Sequence, residues 1–308
     1  MMFSSFVSRR FALGLCLVAA ASGIPSHAVR AQSDRTYVEQ PNWAQLPPGT
    51  AWKDMMAVDI DSKGDIYALQ RTPFQVMVFD AKGKFLRSWS NGALPRAHGL
   101  RIDREDNVWI TDRLLHQVLK YSRDGHLLMA LGTKGVAGDN ESTTALNGPA
   151  DVAIGPNGDI FVADGESTNT RIVKYARDGK FLKFWGSKGS EPGHLLIPHS
   201  IFMDSRGRLL VANRGNKRID IFDQEGALLG QISSGITPYG LFVTRDGTIY
   251  VADGTKGSES LTVLSGRDNK VLAQIPGLTG AHMLTVDRKG AVYVAEVRGT
   301  SLLKFVRK

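Results

Sequence analysis

Cysteine is almost absent from this chain of 308 residues, and the single one, Cys16, falls inside an N-terminal apolar run. Without Cys16 the mature chain has neither a disulfide nor a thiolate metal ligand. Its stability must rest on core burial, which a domain of this size can supply. Long apolar runs are missing as well, since the stretch from Phe11 to Ala21 is too short to span a bilayer. No segment sustains a helical period, which excludes a helical bundle and predicts an all-β chain. Lys and Arg are scattered through turns such as Asp61-Ser62-Lys63-Gly64 and Asp204-Ser205-Arg206-Gly207. No basic cluster interleaves with aromatics, so no nucleic-acid partner is expected.

The N-terminus does carry the order of an export signal. Arg9 and Arg10 precede the apolar run, and Val29-Arg30-Ala31 offers a small residue for cleavage. Ser8-Arg9-Arg10-Phe11-Ala12-Leu13 resembles a twin-arginine signal, so the Sec and Tat routes both stay open. The expected organisation is a signal peptide over residues 1–31 and a single domain over residues 32–308, periplasmic or secreted and monomeric; a retained anchor is the alternative. Leu15 stands before Cys16 where a lipoprotein site needs a small residue, so no stable membrane insertion is expected after signal removal. Loss of Arg9, Arg10 and Arg30 lowers the net charge from +8 to +5.

Internal repetition decides the architecture. An apolar strand, a short turn usually ending in Gly, and an apolar-aromatic strand first appear at Val58-Asp59-Ile60-Asp61-Ser62-Lys63-Gly64-Asp65-Ile66-Tyr67. The equivalent turn positions are Gly64, Asp106, Gly158, Gly207, Gly247 and Gly290, spaced by 42, 52, 49, 40 and 43 residues. That is the span of a four-stranded propeller blade. Third and fourth strands follow in each copy, as in Gln75 to Asp80 and Phe85 to Trp89. The sixth copy runs out at Leu302-Leu303-Lys304-Phe305-Val306. A six-bladed β-propeller is therefore predicted, its ring closed by a strand around Tyr37-Val38-Glu39, because an open blade would expose unpaired backbone groups.

Aligning the copies exposes a candidate site. Two places before the first common apolar position stand Met56, His98, Ala150, His199, Tyr239 and His282. Histidine thus occupies alternate blades at the start of the channel-lining strand, whereas His116, His126 and His194 lie elsewhere in their blades. Three imidazoles aimed at one axial point, with one position open, is the arrangement of a catalytic zinc site. Zinc is expected, with copper, iron and nickel as alternatives. The far end of each second strand returns to the same rim and brings Arg71, Arg113, Gly165-Glu166, Arg214 and Arg298. Guanidinium groups beside a cation suit a carboxylate-bearing ligand.

The stretch Ala97-His98-Gly99-Leu100-Arg101-Ile102-Asp103, with Asn107 to Asp112 and His116-Gln117-Val118, resembles peptidyl-α-hydroxyglycine α-amidating lyase, an NHL-repeat propeller family. Asp164-Gly165, Thr170 to Val173, Pro198-His199-Ser200 and Val211 to Arg214 carry the resemblance onward, from about Val58 to Ile221 and again at His282. It implies a carbon–nitrogen lyase that cleaves a carbinolamide into an amide and glyoxylate, with zinc on His98, His199 and His282 and substrate on Arg71 and Arg214. It also implies a calcium held partly by the carbonyls of Val58 and Leu100. Two positions depart from the family: its catalytic tyrosine after Asp-Gly is Glu166, and its calcium-ligand aspartate after the third histidine is Met283. Glu166 or Tyr239 would then be the base. The alternatives are a non-catalytic NHL propeller that binds a peptide or protein, and a lactonase-type hydrolase.

Overall fold

A computed structural model of the protein describes residues 37–90, 94–233 and 235–308. The leader expected over residues 1–31, with its arginine pair and Cys16, lies outside the described residues. Among these, no helix is long and apolar enough to cross a membrane.

Among the described residues, twenty-four strands, β1 to β24 in chain order, form six four-stranded antiparallel sheets. Five blades are built from consecutive strands. The sixth combines the last three strands with β1 (Tyr37–Glu39), which pairs with β24 (Ser301–Arg307) in the register Tyr37↔Arg307, Val38↔Val306 and Glu39↔Phe305. The ring is therefore closed by the N-terminal strand, as the missing sixth-copy strand requires. Tyr37 fastens it further, its hydroxyl 3.0 Å from that of Tyr250 in the neighbouring blade.

The two-residue period of each strand explains the core. In β3 (Ile66–Gln70), Tyr67 and Leu69 pack toward blade two while Ile66 and Ala68 pack toward blade six. Each second strand is consequently buried on both faces, and six apolar clusters fill the spaces between neighbouring blades. In blade one the turn between first and second strands is set by its acid: Asp61 Oδ1 accepts from the backbone N–H groups of Lys63 and Asp65, both at 2.9 Å. Gly64 supplies the left-handed φ of 88° that this turn needs. Asp106 takes its place in blade two at φ 61° and turns its carboxylate onto Ser62 of blade one.

The innermost strands are β2 (Met55–Ile60), β6 (Ala97–Ile102), β10 (Pro149–Ile154), β14 (Pro198–Met203), β18 (Pro238–Val243) and β22 (Ala281–Val286). All six carry a β-bulge near their start. The register skips Met56, Ala150, His199 and Tyr239 singly, and His98-Gly99 and His282-Met283 as pairs. A bulge re-aims a side chain and releases its backbone groups from the ladder. The column that holds the histidines is the bulge column.

Candidate metal centre

Freed by the bulges, the three imidazoles meet in the channel. Ring centroids of His98, His199 and His282 lie 4.9, 4.7 and 4.8 Å apart, a nearly equilateral triangle, and all three side chains are buried. Their ligand atoms lie within 4.8 Å of one another. Each Nδ1 faces a carbonyl of the following blade: Ala150 at 2.8 Å, Tyr239 at 2.8 Å and Met56 at 2.7 Å. These acceptors are the bulge residues of the odd-numbered blades. A carbonyl can only accept, so each Nδ1 carries the proton and each Nε2 presents a bare lone pair to the axis. The Nε2 of His199 is buried with no hydrogen-bond partner. Three bare nitrogens facing one point fit a borderline metal ion such as zinc, and the donor set contains no thiolate.

Burial is the main reason that all three imidazoles titrate well below their usual value of about 6.5, with nearby charge, Arg113 for His98 and Arg214 for His199, adding to it. Between the depressed folded value and 6.5 the unfolded chain binds more protons, so folding stability falls as pH falls. Metal-free protein should keep this contribution above about pH 7 and lose on the order of 1 kcal/mol per histidine for each pH unit below about 6.5. Urea unfolding of chelator-treated protein at a series of pH values measures it, and a profile flat between about pH 7 and 5 contradicts the burial argument.

A cavity of about 150 Å³ opens on the histidines and is lined by Arg71, Arg113, Glu166, Arg214, Tyr239 and Arg298 among others. The second-strand ends therefore do reach the histidine rim, but in different states. Arg71 Nε donates to the Ala97 carbonyl at 3.1 Å, and among the described residues no carboxylate pairs with its guanidinium. Arg113 and Arg214 are both engaged by Glu166, at 2.9 Å to Oε2 and 2.6 Å to Oε1. Arg214 also lies over the Tyr239 ring, 4.6 Å from its centroid, and Tyr239 in turn packs edge-on to His199. Arg298 turns outward to Glu259 and is largely exposed. His126 is exposed, and His116 Nδ1 accepts from the Gly148 backbone.

One layer below, the channel holds a feature that sequence reading missed. Arg101 of β6 sends its guanidinium inward to Asp151, with Nε to Oδ1 at 3.0 Å and Nη2 to Oδ2 at 2.5 Å. The same Nη2 reaches Ser200 Oγ at 3.2 Å and the Leu241 carbonyl at 3.4 Å. Leu241 occupies in blade five the place that Val58 and Leu100 occupy in blades one and two, the two carbonyls expected to hold calcium. A protein cation thus stands in that layer, while Met283 is buried in an apolar cluster. Reading the repeat three residues past the histidine column, where Asp59 and Arg101 stand, was the available signal.

Fold and site together define a six-bladed propeller with a three-histidine channel centre. The NHL repeat profile matches residues 146–175. The chain is 35% identical over 272 residues to NHL repeat-containing protein 3 of Homo sapiens, covering 81% of this chain and 78% of that protein. It is 27% identical over 245 residues, 74% of this chain and 69% of the relative, to a probable peptidyl-α-hydroxyglycine α-amidating lyase of Caenorhabditis elegans. Among solved structures, a streptogramin B lyase shares the fold, with a TM-score of 0.65 at 14% identity over 90% of this chain and 100% of that one. This chain belongs to the NHL-repeat propeller family that includes NHL repeat-containing protein 3, and its homologues include the amidating lyases.

Proposed function

We propose that the protein is a metal-dependent lyase that splits a carboxylate-bearing carbinolamide into an amide and glyoxylate. The observation that carries this reading is the Arg71 guanidinium, paired with no carboxylate among the described residues, in the lining of the same cavity as the three histidines. Zinc bound by His98, His199 and His282 would acidify a hydroxyl oxygen presented to it. Arg71 holds the glycine-derived carboxylate through a charge-assisted pair. Tyr239, as its phenolate, takes the hydroxyl proton and returns it to the amide nitrogen as the C–N bond breaks, so no proton is gained or lost overall. Glu166 is the weaker choice for base, because two guanidinium groups hold its carboxylate. The cavity is small against the roughly 300–1,000 Å³ of pockets that enclose a drug-sized ligand. It therefore takes the head of the substrate and leaves the acyl part outside, which disfavours a protein-binding role for this site.

Incubating zinc-loaded protein with an N-acyl-α-hydroxyglycine should release glyoxylate and amide in equal amounts. Tyr239→Phe should abolish turnover with the metal retained. Arg71→Ala should lower kcat/KM by about 10- to 150-fold, the loss of one charged hydrogen-bonding contact of about 1.5–3 kcal/mol. Zinc-loaded protein that releases no glyoxylate from mildly acidic to alkaline pH is not this lyase.

A further inference from the structure

We propose that the Glu166 carboxylate is the fourth ligand of the metal held by His98, His199 and His282, so that the centre is closed in the resting protein. The inference rests on the metal reading above and departs from the open position that three histidines alone would leave.

Both carboxylate oxygens face imidazole nitrogens: Oε1 lies 3.5 Å from His199 Nε2, and Oε2 lies 3.9 Å from His98 Nε2. With the Nδ1 protons committed to carbonyls, those nitrogens are acceptors, and an acceptor cannot bond another acceptor. His199 Nε2 is buried without a hydrogen-bond partner, and the buried Glu166 Oε1 has only its ion pair to Arg214. Arg214 Nη2 stands 2.6 Å from Oε1, yet no N–H of it is directed at that oxygen. A bare imidazole nitrogen facing a carboxylate oxygen across 3.5 Å, both out of water, suits a cation between them. The spacing also fits: ligands about 2.05 Å from a tetrahedral zinc stand about 3.3 Å apart.

The backbone around Glu166 is built to hold this position. Its N–H donates to the Gly148 carbonyl at 2.8 Å, and its own carbonyl accepts from Arg113 Nη2 at 2.7 Å. Gly148, at φ 75°, lies so close that a Cβ there would fall 2.9 Å from the Glu166 carbonyl carbon. A Cβ on Gly165 would strike the ring of Pro198, the neighbour of His199, at 2.3 Å. The segment is thus pressed onto the strand that carries one of the histidines. Arg113 and Arg214 offset the charge that the carboxylate brings into the channel. An incoming substrate oxygen then has to displace Glu166 or add beside it.

Zinc titration and the visible spectrum of the cobalt(II)-loaded full chain test the assignment, with thermal melts confirming that each variant is folded. Glu166→Gln should lower zinc affinity by at least the about 10- to 100-fold that loss of an outer-shell partner produces, and should shift the cobalt d–d bands. Glu166→Ala should show the same loss, with added acetate restoring the wild-type spectrum by filling the vacated seat between the two arginines. A carboxylate that merely paired with Arg113 and Arg214 would leave the cobalt bands unmoved. Unchanged spectrum and affinity in both variants overturn the fourth ligand and leave the three-histidine centre standing. Wild-type protein that takes up neither zinc nor cobalt overturns both.

Discussion

Replacing His98, His199 or His282 by Ala should abolish the stoichiometric zinc binding proposed above, whereas His126→Ala should leave it intact. Each of the three rings is buried, fixed through Nδ1 to a carbonyl and aimed at the same point, so removing one takes away a third of the imidazole donors. The remaining rings cannot move in to compensate, because their orientation is set by bulges in different blades. His126 lies exposed in a turn on another part of blade two and touches none of this. Elemental analysis of the four purified variants decides the matter, and equal metal in all four removes the centre.

Arg101→Met destabilises the fold by about 3–5 kcal/mol, the usual cost of leaving one member of a buried ion pair uncompensated. Asp151 is the group left behind. It is fully buried and also accepts from Ser200 Oγ at 2.8 Å and the Ile201 backbone at 3.1 Å, so it cannot turn to water. Neutralising it in Arg101→Met/Asp151→Asn should recover part of the loss, which a double-mutant cycle by urea unfolding resolves. Because the guanidinium already supplies the positive charge in this layer, a calcium chelator should leave the wild-type melting temperature unchanged. A large calcium-dependent rise in melting temperature would place an ion where the Arg101 guanidinium stands.

The blade count and ring closure were legible because both are written in short-range chemistry. A residue with positive φ, Asp106 in blade two and glycine in the other five, recurs at each first hairpin, and a strand missing from the sixth copy has to be found at the other end. The histidine column was legible for the same reason, as a fixed offset within a repeat. What stayed hidden was pairing between columns. Arg101 contacts Asp151, Ser200 and Leu241, residues 50, 99 and 140 positions away, and no local pattern encodes which of them it meets. Likewise Glu166 could be placed at the rim by strand direction, but not its capture by Arg113 and Arg214, which come from the blades on either side. The bulges themselves leave no mark beyond the column they shift.

Of the three imidazole-to-carbonyl contacts, the one from His282 to Met56 bridges the seam between the last blade and the first, 226 residues apart in the chain. An ion seated on the three rings would therefore act as a clasp on the annulus: it cannot be fully gripped unless the two ends of the chain are docked. Prising the seam apart and releasing the ion become a single event. The resistance of the closed ring to opening should then grow with the logarithm of free metal concentration, by about 2.7 kcal/mol at a hundred times the dissociation constant. Wherever free metal varies with the surroundings, such a clasp would make the lifetime of the folded ring a reading of local metal supply.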